Sequence, residues 1–204
     1  MSLYGRLYAR VYDRATASSE AAGLADRRRA LIAQAGGRVL ELGAGTGLNL
    51  AHYPPGVEQL VLTEPEEPML ARLRARAASH DPAPAVVRAP AEHLPLADGS
   101  VDTVVTTLTL CTVGDLDAAL REVHRVLQPG GHYIFSVWDS HRHNPFGRIA
   151  QEVVERFFPV DPPQFYRVPM SCSQIDPIKE SLLAAGFGAI NVAVVALQKE
   201  IPDS

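Results

Sequence analysis

The chain has only two cysteines, Cys111 and Cys172, too few for a disulfide framework and too far apart for a C-x-x-C centre. Both are therefore expected as free thiols. No apolar run approaches the ~18 residues of a membrane-spanning helix. The opening Met1-Ser2-Leu3-Tyr4-Gly5-Arg6 lacks the apolar stretch of a secretory signal, so the expected compartment is the cytoplasm. Runs of like charge are missing too. With a net charge of −4 and a pI near 6.0, nothing draws a polyanion, and neither nucleic acid nor a membrane is expected as a partner. Repeats and low-complexity segments are absent. A chain of 204 residues that is 47% apolar can bury one sizeable core, so a single domain over 1–204 is expected.

What is present centres on residues 39–49, Val-Leu-Glu-Leu-Gly-Ala-Gly-Thr-Gly-Leu-Asn. Val39, Leu40 and Leu42 read as an inner strand of a parallel sheet. Gly43, Gly45 and Gly47 then make a turn in which side chains would obstruct a ligand, so a small polar cofactor can lie against bare backbone. The dinucleotide fingerprint G-x-G-x-x-G would need glycine at position 48, where Leu48 stands, and an oxidoreductase reading lacks that residue. No Gly-Lys-Ser/Thr follows, which removes the phosphate loop of nucleotide hydrolases.

The rest of the chain alternates between helix and strand patterns. Tyr4, Tyr8 and Tyr12 share one face of an N-terminal helix, and a second helix is predicted over 20–35, closed by Gly36-Gly37. A short helix over 49–53 stops at Pro54-Pro55-Gly56. Residues 60–63 form the next strand, with Glu64 at its carboxyl end. A carboxylate ~20 residues beyond the glycine turn, on the tip of the neighbouring strand, can accept hydrogen bonds from both hydroxyls of a ribose. A helix over 65–79 turns Met69, Leu70 and Leu73 inward; strands follow at 85–88 and 101–107, the latter entered through Asp98-Gly99. Residues 108–113 cross the carboxyl edge of the sheet. Asp115 caps a helix to about Gln128, and Pro129-Gly130-Gly131 leads into a strand at 132–138. Asn144 and Pro145 start a helix to about Phe158, a Pro-rich loop runs from 159 to 170, and Asp176-Pro177 opens a last helix that Gly186 ends. Residues 189–197 read as a sixth strand, after which little chain remains for a seventh. The pattern is that of an α/β, doubly wound, mostly parallel sheet flanked by helices.

The run Glu41-x-Gly43-x-Gly45-x-Gly47 resembles motif I of the class I S-adenosylmethionine-dependent methyltransferases. Leu62-Thr63-Glu64-Pro65, Met69-Leu70, residues 97–102, 108–113 and 120–131 resemble the later motifs of the small-molecule group called type 11, which includes UbiE-like enzymes. Residues 49–55 and 107–113 are most similar to its thiol methyltransferase-like branch. Asp139 to Ile149 resembles a different set, with a Trp-Asp then Asn-Pro-Phe signature before a lid helix.

The resemblance implies a Rossmann-like fold shortened at its carboxyl end, with S-adenosylmethionine as cofactor and S-adenosylhomocysteine as product. The implied cofactor residues are Tyr12, Glu41, Gly43, Ala44, Gly45, Thr46, Gly47, Asn49, Glu64, Pro65, Met69, Ala91, Glu92, Thr107 and Leu108. Ala91-Glu92 would lie beside the adenine and the backbone near Thr107 beside the methionine ammonium. Residues 1–35 would form a helical lid, 36–138 the cofactor core, 139–172 a lid or substrate insertion, and 173–204 the last helix and strand.

The expected acceptor is a small molecule: a thiol, phenol, amine or carbon acid. Many relatives carry a His pair where Cys111-Thr112 stand, so candidate bases fall on His141, His143 and Tyr12. Asp139, His141 and His143 lack a fourth ligand, and no metal is expected. A non-catalytic cofactor-binding module stays open as the alternative and, behind it, a nucleotide-cofactor oxidoreductase. A homodimer through the C-terminal strand or the lid is expected from the open sheet edge.

Overall fold

The computed structural model describes residues 12–164 and 166–196. Five parallel strands form one sheet: β1 (Gly37–Leu42), β2 (Val57–Thr63), β3 (Ala85–Val87), β4 (Val101–Thr107) and β5 (Leu127–Ser136), in the order β3-β2-β1-β4-β5. The chain winds outward from β1 to β3, then returns to the other side of β1 as β4. Strand order thus reverses between β1 and β4, and the crevice at their carboxyl ends is where open α/β sheets hold ligands.

Both faces of β1 are buried, as a parallel sheet requires. Val39 packs with Val105, Ile32 and Ala35, whereas Leu40 and Leu42 face the opposite layer with Val104, Val123 and Val126. Residues 12–19 are helical, a π-helical turn follows at Glu20–Leu24, and α1 occupies Ala25–Ile32. The single helix predicted over 20–35 is instead broken at Gly23, whose φ of 112° interrupts the helical hydrogen bonding.

Helix α2 (Glu67–Ala77) buries Leu70, Leu73 and Ala77 beside Leu62. Helix α3 (Leu116–Val126) buries Leu120, Val123 and Val126, and Asp115 caps it as predicted, its Oδ1 accepting from the Ala118 amide at 3.0 Å. Such a cap contributes about 1 kcal/mol. Helix α4 (Pro145–Phe157) starts at the expected Pro145, but the Asn144 side chain donates back to the carbonyls of Asp139 and Ser140 and does not cap the helix. Helix α5 (Ile175–Ala184) packs Ile178 and Leu182 on Leu120.

Two strand expectations are corrected. β5 begins at Leu127, and the Pro129-Gly130-Gly131 turn lies inside it as a register jump, from Val101 opposite Leu127 to Thr103 opposite His132. The predicted sixth strand has no ladder over residues 189–196: Ala189 sits at φ 48°, Ile190 turns into the α5 cluster, and Val194 remains 74% exposed. Apolar alternation alone does not make a strand without a partner edge. Residues 197–204, where any seventh strand would fall, lie outside the described residues.

Candidate cofactor site

The turn after β1 places three glycines in the left-handed region, Gly43 at φ 61°, Gly45 at 58° and Gly47 at 83°. Their surroundings differ. A Cβ on Gly43 would collide with the Thr109 side chain, and one on Gly47 would meet Leu73 and Leu50, whereas nothing lies within 4 Å of such an atom on Gly45. Gly43 and Gly47 are glycine for packing, and Gly45 leaves bare backbone beside open space.

Glu64 sits beyond the end of β2, 6% exposed, and ties this turn down. Its Oε2 accepts from the Gly45 amide and its Oε1 from the Glu66 amide, both at 2.9 Å. Burial pushes its carboxyl above the usual range, and the two amides partly offset that shift.

Beneath the turn lies a buried polar network. Glu41, 1% exposed, accepts from Asn49 Nδ2 at 2.8 Å and from the Tyr53 hydroxyl at 2.6 Å. Asn49 Nδ2 also donates to Thr107 Oγ1 at 2.9 Å. Arg28, 6% exposed, donates to Thr107 Oγ1 at 2.8 Å, to Asn49 Oδ1 at 3.1 Å and to Glu20 at 3.0 Å. Burial raises the pKa of Glu41, and the bonds from Tyr53 and Asn49 oppose it. The network joins the helical N-terminal segment, β1 and β4 at the carboxyl edge, so Glu41 supports the turn from below and uses both carboxylate oxygens inside the protein.

Above the turn lies the segment beginning at residue 12. Asp13 Oδ1 accepts from Thr46 Oγ1 at 2.6 Å, while its Oδ2 takes Arg72 at 2.7 Å and Arg76 at 3.0 Å. Burial acts to raise the Asp13 pKa, but these donors outweigh it and hold the group below its ordinary value. Tyr12 is in the electrostatic field of Arg28, Glu20 and Glu64, with its phenol pKa raised mainly by burial. Tyr4 and Tyr8, the other two tyrosines of the predicted stripe, lie outside the described residues.

The remaining sequence candidates are distributed as follows. Met69 is half-buried in the first turn of α2, and Pro65 is exposed beside Glu64. Ala91 packs on the core, and Glu92 Oε1 accepts from the amides of Gly114 and Asp115 at 2.6 and 3.1 Å. Leu108 adopts φ 59°, a strained conformation for a branched residue, at the point where the chain leaves β4.

The two candidate histidines make no hydrogen bond to this group. His141 Nε2 is 2.6 Å from the Tyr166 carbonyl, His143 is exposed, and neither bonds to the glycine turn or Glu64. Both cysteines are free, and burial with the neighbouring Cys172 pushes the Cys111 thiol up to about 11, so it is protonated at neutral pH. Among the described residues no cluster of His, Cys, Asp or Glu fits a metal ion, and no helix is long and apolar enough to cross a membrane.

Sequence reasoning missed Arg28, Tyr53, Arg72 and Arg76. Arg28 stands between Arg27 and Arg29, and nothing in that triplet marks the middle residue as the buried one.

A parallel sheet with its glycine turn at the switch point, clasped by the acid of the next strand, has the arrangement in which open α/β sheets hold a ligand. Residues 40–135 match the family model described as a methyltransferase domain. The human thiol S-methyltransferase TMT1B is 43% identical over 124 residues, 57% of this chain and 49% of its own length. The ubiquinone/menaquinone biosynthesis C-methyltransferase UbiE of Rubrivivax gelatinosus is 37% identical over 101 residues, 50% of this chain and 39% of its own. The chain thus spans about half or less of these relatives' length. A Thermotoga maritima S-adenosylmethionine-dependent methyltransferase, described as a possible histamine N-methyltransferase, superposes with a TM-score of 0.68 at 27% identity, covering 90% of this chain and 79% of that one. The α/β Rossmann-like fold expected from the sequence is the fold found.

Proposed function

We propose that this protein transfers the methyl group of S-adenosylmethionine to a small-molecule acceptor. One observation carries the reading: the amide of Gly45, beside open space, is held at 2.9 Å by the carboxylate that ends β2. That pairing fixes the turn with the space beside Gly45 uncovered for a nucleoside and places an acid where ribose hydroxyls need one. The residues that would hold the cofactor are the 43–47 turn, Glu64, Met69, the 91–92 backbone, and the chain at Thr107 and Leu108, with Tyr12 and Asp13 as the roof. The bound cofactor supplies an activated methyl group on a positively charged sulfur.

The protein's part is alignment and exclusion of water. The Arg28 network fixes the carboxyl ends of β1 and β4 relative to each other. Asp13 latches the roof to the turn and to α2. Helix α4 and the 159–170 loop flank the acceptor side, with His141 bound to the Tyr166 carbonyl between them.

Among acceptors, similarity to TMT1B favours a thiol, which needs only deprotonation and fits a site in which neither His141 nor His143 bonds to the cofactor turn. A phenol, amine or carbon acid would draw a base from His141, His143 or Tyr12. Neither a nucleic acid nor a membrane is part of this reading, and the macromolecular partner it includes is a second copy of the chain, joined through the C-terminal strand or the lid.

Calorimetry with S-adenosylmethionine and S-adenosylhomocysteine tests the cofactor, with dissociation constants on the order of 1–100 μM expected. A screen of thiols, phenols and amines for S-adenosylhomocysteine release tests the acceptor. Binding with no turnover across all three classes would make the protein a cofactor-binding module, and no binding would remove the proposal.

A further inference from the structure

Helix α4 carries an apolar stripe that the fold does not bury. Phe146, Ile149, Val153 and Phe157 recur at helical spacing, and Phe146 and Phe157 are 74% and 77% exposed. Gly147 and Gln151, on the other side, are the residues the helix buries, Gly147 against Met170 and His141. Beyond the helix end, Phe158 and Val160 are exposed as well. The six side chains offer roughly 700 Å² of apolar surface, above the ~300–600 Å² of the largest patch on a typical monomer. It is close to the ~800 Å² each partner gives to a stable interface.

We propose that this face is the contact between two copies of the chain, paired through antiparallel α4 helices about a two-fold axis. The flank of the stripe is self-complementary. Glu152 and Arg156 lie one turn apart on it, both exposed; Glu152 takes Arg148 through one oxygen, and Arg156 has no ion-pair partner among the described residues. An axis midway between them sets Glu152 of each helix opposite Arg156 of the other, making two equivalent ion pairs. The same register lays Phe157 over the partner's Ala150 and Val153 and brings Phe146 towards the partner's Val160, which accounts for the stripe and its extension together. A lipid surface is the poorer occupant. Helix α4 has Arg148 and Arg156 against Glu152 and Glu155, hence no net charge to hold an anionic bilayer. Because the buried side of α4 rests on the His141 loop, pairing also braces the acceptor side of the site. The arrangement is independent of the methyl-transfer reading, since its readout is molar mass.

Light scattering on the full chain across a concentration series is expected to reach twice the chain mass by about 50 μM, in the range of a transient to stable homodimer. Phe157→Glu is expected to leave the monomer mass and to melt like the wild-type chain diluted below its pairing range, since the side chain is exposed and only the partner's contribution to stability is lost. Glu152→Arg and Arg156→Glu should each raise the dimer dissociation constant by about tenfold, and the double variant should recover most of that loss, as a direct pair requires. A wild-type chain that stays monomeric, a Phe157→Glu variant that remains dimeric, or a double variant no better than either single one would overturn the proposal. So would a monomer that co-sediments with phosphatidylglycerol vesicles and loses that binding in Phe157→Glu, which would assign the face to a membrane.

Discussion

Gly45 and Glu64 are joined by a single hydrogen bond, amide to carboxylate at 2.9 Å, across 19 positions of sequence. It ties the barest point of the glycine turn to the tip of the adjoining strand, so the conformation of the turn and the position of the acid are set together.

Replacing the acid tests both at once. Glu64→Ala removes the ribose acceptor and frees the Gly45 amide, and cofactor affinity should fall by about 1–3 kcal/mol, the range for hydrogen bonds to a charged group. Calorimetry against S-adenosylhomocysteine reads the change, and unchanged affinity would show that the acid does not face the sugar. Because burial raises the Glu64 pKa while ribose hydroxyls favour the ionised form, affinity should weaken as pH drops through that raised value.

The glycines separate by role. Gly45→Ala meets no atom but must hold φ 58°, so it should cost about 1 kcal/mol of stability while obstructing the cofactor face and lowering affinity at least tenfold. Gly43→Ala runs into Thr109 and should lower the melting temperature more than Gly45→Ala does. Thermal unfolding with and without S-adenosylhomocysteine distinguishes them: if Gly45→Ala binds like wild type, the open space beside it is not the cofactor's.

Asp13 is the latch of the roof. Asp13→Ala should loosen residues 12–24, seen as faster amide exchange there, and weaken cofactor binding by about 1–2 kcal/mol through loss of the charge-assisted bonds. Its folded pKa lies below the unfolded value, so its contribution to stability is present above the unfolded pKa and disappears as pH falls through the folded one. In Asp13→Ala, the stability deficit should therefore shrink in strong acid.

Glu41 has the opposite sign. Its pKa is raised, so its contribution to stability is greatest below the unfolded value and is lost as pH rises through the folded one. The Tyr53 hydroxyl is the bond that most opposes this rise. Tyr53→Phe should destabilise by about 1–3 kcal/mol at neutral pH, with the deficit narrowing as the solution is acidified and the carboxyl takes up its proton. Denaturant unfolding over a pH series from the ordinary carboxylate range upwards measures it, and a deficit independent of pH would mean that the hydroxyl does not hold a carboxylate.

Much of the site was legible before any fold was seen. Glu64 could be placed because a strand period, a glycine turn and a spacing of ~20 residues fix which acid ends the next parallel strand. Asp115 could be placed as a cap because its side chain acts within its own helix. Arg28 and Tyr53 could not, since Arg28 reaches Thr107 only once β4 lies beside β1, and Tyr53 reaches Glu41 only once the chain after the glycine turn folds back on β1. Residues 189–196 of the predicted sixth strand form no ladder for a related reason: their alternation states which residues would share a face, and a strand exists only where a neighbouring edge offers a ladder.

The order of residues by itself settled the succession of strands and helices from β1 to β5, the turn at Gly43, Gly45 and Gly47, and the acid that follows, because each depends on torsional preference or on short, periodic spacing. Folding decided the rest: which carboxylate is sealed beneath the turn and which one borders its open side, which arginine of three is buried, and which face of α4 stays uncovered. Those outcomes come from distant segments sharing a small volume, where desolvation makes an unpaired polar group costly and so selects the partner.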